Sequence, residues 1–348
     1  MNIKPDKPFK TYKEQILHLQ KIHDLKIIDP IWAENALKFI PYYDLINGYK
    51  DIFMENDKFK TQITFEYIYL FHEFDRQLQN LIFPFSKLIE DYFKHNLAYV
   101  LSKNFGVFES DYLSYKNYVA RKGKITFKTT YNQIIKLYTY ENGKRKSCNL
   151  IEEPTSHYIK NHNHIPPWIL LKNTSFSNAI NLFILLKQQQ KNELANMLIN
   201  INIPIDQKIQ LLIYTLTLIR TCRNTIAHNL KFISFNSDKY RKALSYKTLK
   251  SFIPNELLNW KDIHNNVGIS DVYAYICFSL AILPNSLEKI NSTKNLLYFF
   301  DNFQNESNLL RKTVLKTYCD KTHLPISIRD RLRKYMIISA KNTPIPTI

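Results

Sequence analysis

Between Phe65 and Leu101 apolar side chains recur at intervals of three and four, at Phe71, Phe74, Leu78, Leu81, Ile82, Phe85, Leu88, Ile89, Phe93 and Leu97. A helical period held over that distance specifies one long helix with a buried stripe, and such a stripe needs other helices to cover it. Pro84 is expected to kink or divide the helix, because it lacks an N–H and its ring crowds the carbonyl four residues earlier. The same period returns over Trp168 to Lys187, Lys191 to Leu198, Asp206 to Asn229, Ser270 to Leu283 and Ser292 to Tyr318. Ahead of the long helix, Thr11 to Leu45 reads as two short amphipathic helices separated at Asp29-Pro30, followed by a turn at Asn47-Gly48. The fold class is all-α. Residues 61–105 and 166–318 supply a helical bundle, 1–60 an N-terminal helical extension, 106–165 a basic, loop-rich insert and 319–348 a C-terminal tail. Leu230 to Trp260 reads as a mixed connector.

Only five glycines occur in 348 residues, and none falls into GxGxxG or GxxxxGK. Loops that close backbone N–H groups on phosphate need those glycines, so a P-loop or dinucleotide fold is disfavoured. A composition 45% hydrophobic supports a large core rather than disorder. The net charge of +18 attracts phosphate backbones or anionic surfaces, although a Lys-, Asn- and Ile-rich composition produces such a surplus without a nucleic-acid partner. Cys148, Cys222, Cys277 and Cys319 form no CxxC pair, which suits reduced thiols in a cytoplasmic protein. The opening MNIKPDKPFKTYKEQ has no apolar signal segment, and no apolar run of about 20 residues suggests a membrane crossing.

The most specific phrase is LIRTCRNTIAHNL. At about 100° per residue, Arg220, Thr221, Arg223, Asn224 and His228 share one side of a helix, while Leu218, Ile219, Cys222 and Ile226 share the other. Two guanidiniums, an amide and an imidazole are thereby presented together. Histidine exchanges protons near neutral pH, and arginine's planar fork fits a phosphate carrying extra charge. Those are the groups that metal-independent RNA hydrolysis requires. Attack by the ribose 2′-hydroxyl would leave a 2′,3′-cyclic phosphate and a 5′-hydroxyl, with no divalent ion or other cofactor, and DNA would stay intact. Helix capping by His228 and a surface salt bridge for Arg223 are the structural alternative.

The Arg-x4-His phrase followed by Asn229 resembles the motif of the HEPN superfamily of helical ribonucleases. Further segments are similar, in the same order, to abortive-infection proteins of the AbiD/AbiF type. KPFKTYKEQILHLQ resembles their opening helix, IPYYDLINGYKDIF their tyrosine-rich turn, and FHEFDRQLQNLIFPFSKLIEDYF their long helix. IPPWILLKNTSFSNAINLF resembles the helix before the motif. The resemblance runs from Lys7 to Asn229. It departs at Gln79 and Lys94, where arginine is frequent, and at Ser177, where glycine is usual. The resemblance implies a HEPN-like bundle, a toxin-like role in phage defence, and kinship with RNA-guided effectors that carry two such motifs. It also implies control by a protein or a small structured RNA. With one motif per chain, a composite site implies a homodimer with facing Arg223/His228 pairs.

Other residues carry weaker signals. Asp75, Arg76 and Glu90 on the long helix can orient His228 or reach RNA, and can equally pair inside the bundle. Arg121, Lys122, Lys124, Lys144, Arg145 and Lys146 in the insert, with Arg220 and Lys231 beside the motif, are candidates for phosphate contacts. A solvated charged loop is the alternative for the insert. His157, His162 and His164 lack thiolate companions and read as a polar loop before a metal site. Tyr42, Tyr43 and Tyr49 either stack on bases or pack the N-terminal unit. A non-catalytic RNA-binding scaffold is the rival functional reading, and a protein-interaction scaffold without RNA is a third.

Overall fold

The computed structural model describes residues 7–140, 142–235, 244–284, 286–304 and 307–341. The first six residues of the extension, the last seven of the tail and Glu141 of the ENGKRK run lie outside the described residues.

The N-terminal unit begins with α1 (Tyr12–Lys21) and α2 (Pro30–Phe39). Thr11 and Glu14 form a reciprocal capping box on α1. The Asp29 carboxylate accepts from the Ile31 and Trp32 N–H groups at 3.0 Å each, with Pro30 in the first helical position of α2. A π-helical turn over Tyr43–Asn47 leads into α3 (Lys50–Phe53) and a hairpin of β1 (Met54–Glu55) and β2 (Lys58–Phe59). Asn56 and Asp57 turn that hairpin at φ 49° and 62°, both in the left-handed region that a tight two-residue turn demands.

The long helix is α4 (Phe65–Phe105), capped by the Thr64 hydroxyl on the Tyr67 N–H and ended by Gly106 at φ 93°. It is not divided at Pro84. Carbonyls beside the proline gain side-chain donors: the Tyr275 hydroxyl reaches Ile82 O at 2.9 Å and the Ser86 hydroxyl reaches Phe83 O at 2.6 Å. Phe71, Phe74, Leu78, Ile82, Phe85, Ile89, Phe93 and Leu97 form its buried stripe.

The insert is more ordered than its composition suggests. It holds α5 (Glu109–Tyr112), a hairpin of β3 (Arg121–Lys122) and β4 (Ile125–Thr126), α6 (Phe127–Ile135) and α7 (Thr155–Asn161). Tyrosines read as polar loop residues form walls instead. Tyr112 and Tyr118 are buried, Tyr118 stacks on Phe127 at 4.3 Å, and the Val119 N–H donates to Leu185 O at 2.8 Å.

The bundle continues with α8 (Pro167–Asn173), α9 (Phe176–Leu185), α10 (Gln188–Leu198) and α11 (Ile205–Ala227). The single helix expected over 168–187 is broken because Ser175 starts α9 with a cap on the Asn178 N–H. After α12 (Tyr246–Phe252) and α13 (Trp260–His264) comes α14 (Val272–Ile282), in which every residue but Ala281 is buried. A helix apolar on all sides belongs at the centre of a bundle, and α14 packs between α4 and α11. The stretch expected as one helix over 292–318 is α15 (Leu287–Gln304) and α16 (Leu309–Thr322), the second capped by Asn308.

The segment read as a tail contains α17 (Ile328–Lys341), whose Ile328, Leu332 and Tyr335 are buried. Arg331 on this helix grips Asp262 through two N–H groups, at 2.5 and 3.0 Å, and donates to Leu257 O at 2.9 Å. Its amphipathic period was obscured by flanking Lys and Arg residues. Arg331→Ala strands a largely buried carboxylate and should lower unfolding free energy by about 3 kcal/mol, read as a reduced urea midpoint at unchanged slope.

Candidate functional site

The apolar face of α11 fixes which side chains remain for chemistry. Leu218, Ile219 and Cys222 have no exposure and Ile226 is 9% exposed. The opposite flank therefore shows Arg220, Thr221, Arg223 and Asn224 half-buried and His228 exposed at the helix end. Arg223 Nη1 donates to Asn224 Oδ1 at 3.3 Å. Among the described residues neither Arg220 nor Arg223 has a carboxylate partner.

The end of α11 follows a defined stop. Leu230 N–H donates to Thr225 O and Asn229 N–H to Ile226 O, both at 2.9 Å, with Asn229 at φ 55°. This is the Schellman arrangement, with asparagine in the left-handed position that glycine usually fills. The HN of the motif thus has a backbone role: Asn229 halts the helix one residue after His228 and turns the chain back towards α4.

Four anchors catch the returning chain. Arg76 Nη2 donates to Asn229 O at 2.7 Å, and its Nη1 donates to Gln79 Oε1 at 3.3 Å. The Lys231 ammonium donates to Gly48 O and lies over the Tyr49 ring. The Phe232 N–H donates to Asp75 Oδ2 at 3.1 Å. Asp75 is wholly buried and also accepts from the Tyr318 hydroxyl at 2.6 Å, Gln79 Nε2 at 2.9 Å and the Tyr49 hydroxyl at 3.2 Å. Burial pushes its carboxyl above the usual range, and the donors from Tyr318 and Phe232 pull it back in part.

Several sequence-predicted residues take other places. Lys231 is spent inside the protein, so its ammonium braces the motif loop instead of facing a phosphate. Glu90 pairs with Lys94 at 2.6 Å. It stands 14 positions beyond Arg76 on α4, roughly 21 Å along the axis, too far to orient His228. The basic insert is further still. Arg145 pairs with Glu109 at 3.1 Å, just past the end of α4, and Lys122 lies near Lys191, whose neighbour Gln190 bonds Asn104. From Arg76 to Asn104 is roughly 42 Å of helix. Arg121, Lys122, Lys124, Lys144 and Arg145 are exposed and Lys146 half-buried at that end, apart from Arg223 and His228. His157 and His162 have ring centres 6.2 Å apart and His164 bonds Asn163. No group of three or more His, Cys, Asp or Glu among the described residues is placed to hold a metal. No described helix is long and apolar enough to cross a membrane.

Sequence reading missed Tyr318, because its partner Asp75 lies 243 positions away. Gln79, noted there only as a departure, proves to be buried between Asp75 and Arg76.

Fold and site together define a helical-bundle protein in which a basic helix end is clamped against the longest helix. A family model described as Abi-like protein matches residues 35–234, more than half the chain, and the protein belongs to this abortive-infection family. The match runs from α2 through the Asp75 helix and the motif to Phe232 and its neighbours. No curated protein and no solved structure matches the chain.

Two expectations follow. Asp75→Ala leaves two tyrosine hydroxyls, an amide and the Phe232 N–H without their acceptor, and should lower unfolding free energy by about 3 kcal/mol in urea titrations. His72, buried 3.5 Å from the Tyr49 hydroxyl, is held down to about 4 from an ordinary 6.5, chiefly by burial. The unfolded chain then binds a proton that the folded chain refuses. Stability present above pH 6.5 should drain as pH falls towards 4, by up to about 3 kcal/mol. Asp75 contributes with the opposite sign, since its raised carboxyl favours the fold as pH falls. Comparing His72→Gln with the parent chain isolates the histidine: the acid-side loss should flatten in the variant.

Proposed function

We propose that this abortive-infection protein acts on RNA as a metal-independent endoribonuclease of the HEPN type. One observation carries the reading: Arg220 and Arg223, without carboxylate partners among the described residues, share a helix end with an exposed His228 whose backbone is locked by the Schellman turn. Guanidiniums left without a carboxylate on a rigid element are suited to an incoming anion, and phosphate accepts their planar fork.

In the reaction the ribose 2′-oxygen forms a bond to the adjacent phosphorus while its proton passes to an imidazole. Arg223 meets the charge on the non-bridging oxygens, with Asn224 holding the guanidinium in place. The bond to the 5′-oxygen breaks, and that oxygen takes a proton from a second imidazole. Among the described residues one chain supplies one histidine at the site, so the acid and base pair calls for His228 of a second copy, and the active species is a symmetric dimer. Its role is damage to RNA during phage infection, restrained beforehand by a protein or a structured RNA.

A second reading, an RNA-binding module without catalysis, draws on the exposed cations of Arg121, Lys122, Lys124, Lys144 and Arg145 far along α4. Such a spread suits holding a long strand. Incubation with end-labelled RNA in EDTA separates the two. The expected result is cleavage to 2′,3′-cyclic phosphate ends, with matched DNA left intact, and a loss of at least about 100-fold in His228→Ala and in Arg223→Ala. RNA bound and uncut by the parent chain would establish the module instead.

A further inference from the structure

A cavity of about 540 Å³ opens on the N-terminal unit, with neither Arg223 nor His228 among its lining residues. Its walls come from the chain before α1, from α1 itself, from the π-helical turn and from the β1–β2 hairpin. Lys7, Lys10 and Lys50 bring three ammoniums to it, and His18 and His23 two imidazoles, edge to face at 4.9 Å. Asp57 is the one carboxylate among the lining residues, and it is turned to His23 at 3.6 Å with most of its side chain in solvent. The lining thus carries a clear cationic excess.

The cavity also has a flat and an apolar side. Half-buried Tyr42 lends part of its ring, Ile46 and Phe59 form a floor, and Asn47 offers an amide. Ammoniums serve phosphate as point charges, an aromatic ring beside an apolar floor takes a planar base, and a side-chain amide can pair with the base edge. A purely inorganic anion would leave the tyrosine and the floor unused.

We propose that this cavity is a binding site for a nucleoside phosphate. Its position gives the site a consequence for the rest of the protein. Asn47 and Lys50, which line the cavity, flank Gly48 and Tyr49 in the chain, and those two residues hold Lys231 and Asp75. An occupant therefore sits next to the brace of the motif loop. The binding claim is independent of RNA cleavage and is read without RNA.

Calorimetric titration of the full chain with ATP, GTP, UTP and CTP tests it, with adenosine and inorganic phosphate as partial probes and a short RNA oligonucleotide as competitor class. At least one triphosphate should bind one per chain, tenfold or more tighter than adenosine or phosphate alone. Lys10→Ala combined with Lys50→Ala should weaken it about tenfold or more at an unchanged thermal midpoint, and Lys50→Gln alone, at an exposed position, should weaken it measurably. Arg223→Ala should leave it unaltered. Failure of all four triphosphates, indifference to the lysine variants, dependence on Arg223, or binding of the oligonucleotide alone would overturn the proposal.

Discussion

Asp75 sits where four separate stretches of chain meet, and a carboxylate without solvent contact persists only where donors surround it. Tyr49 arrives from the N-terminal unit, Gln79 from the next turn of α4, Phe232 from the loop behind the motif and Tyr318 from α16. Each donor is itself buried and needs an acceptor, so the requirement is mutual. Aromatic packing of Phe71 and Phe74 against Tyr318 encloses the group in apolar surface. Low polarity strengthens each bond and raises the cost of losing any one. The N-terminal unit, the bundle and the motif loop are consequently set in one register.

From that anchor α4 acts as a rod of about 60 Å. In its first third Arg76 donates to the carbonyl of Asn229, and at its far end Lys103 and Asn104 donate to Glu193. Charge gathered in the insert therefore does not reinforce the field at the motif directly, since separation along the rod exceeds the screening distance at physiological salt several-fold. A polyanion that touched both regions would need to lie along the bundle.

Elements whose signals are local were readable in the chain itself. The stripe of α4, the two-faced pattern of Leu218 to Ile226 and the pair of short helices parted at Asp29-Pro30 all rest on spacings within a few residues, and the structure has each of them. The fold class followed from those periods. Breaks between α8 and α9 and between α15 and α16 escaped because apolar periodicity continues across Ser175 and Asn308, while a cap decides where a helix begins. Helix α17 was hidden by its charge. At the site, the grouping on α11 was legible, whereas the brace behind it was not. Lys231 resembled any other basic residue until Gly48 and Tyr49 were brought beneath it by distant chain, and no sequence pattern links Asp75 to Tyr318.

The stop at Asn229 and the buried face of α11 together bear on what lineages of this protein can vary. One residue added or removed between Ile205 and Cys222 would rotate everything after it by about 100°, sending the guanidiniums into the core or the cysteine into water. Downstream, the left-handed turn has already used its bonds and leaves no slack to absorb the slip. Length change is cheaper in exposed surface connections, whose backbone is not tied into the bundle. Point substitutions can tune the exposed flank one group at a time, but its angular phase can drift only by repacking the bundle.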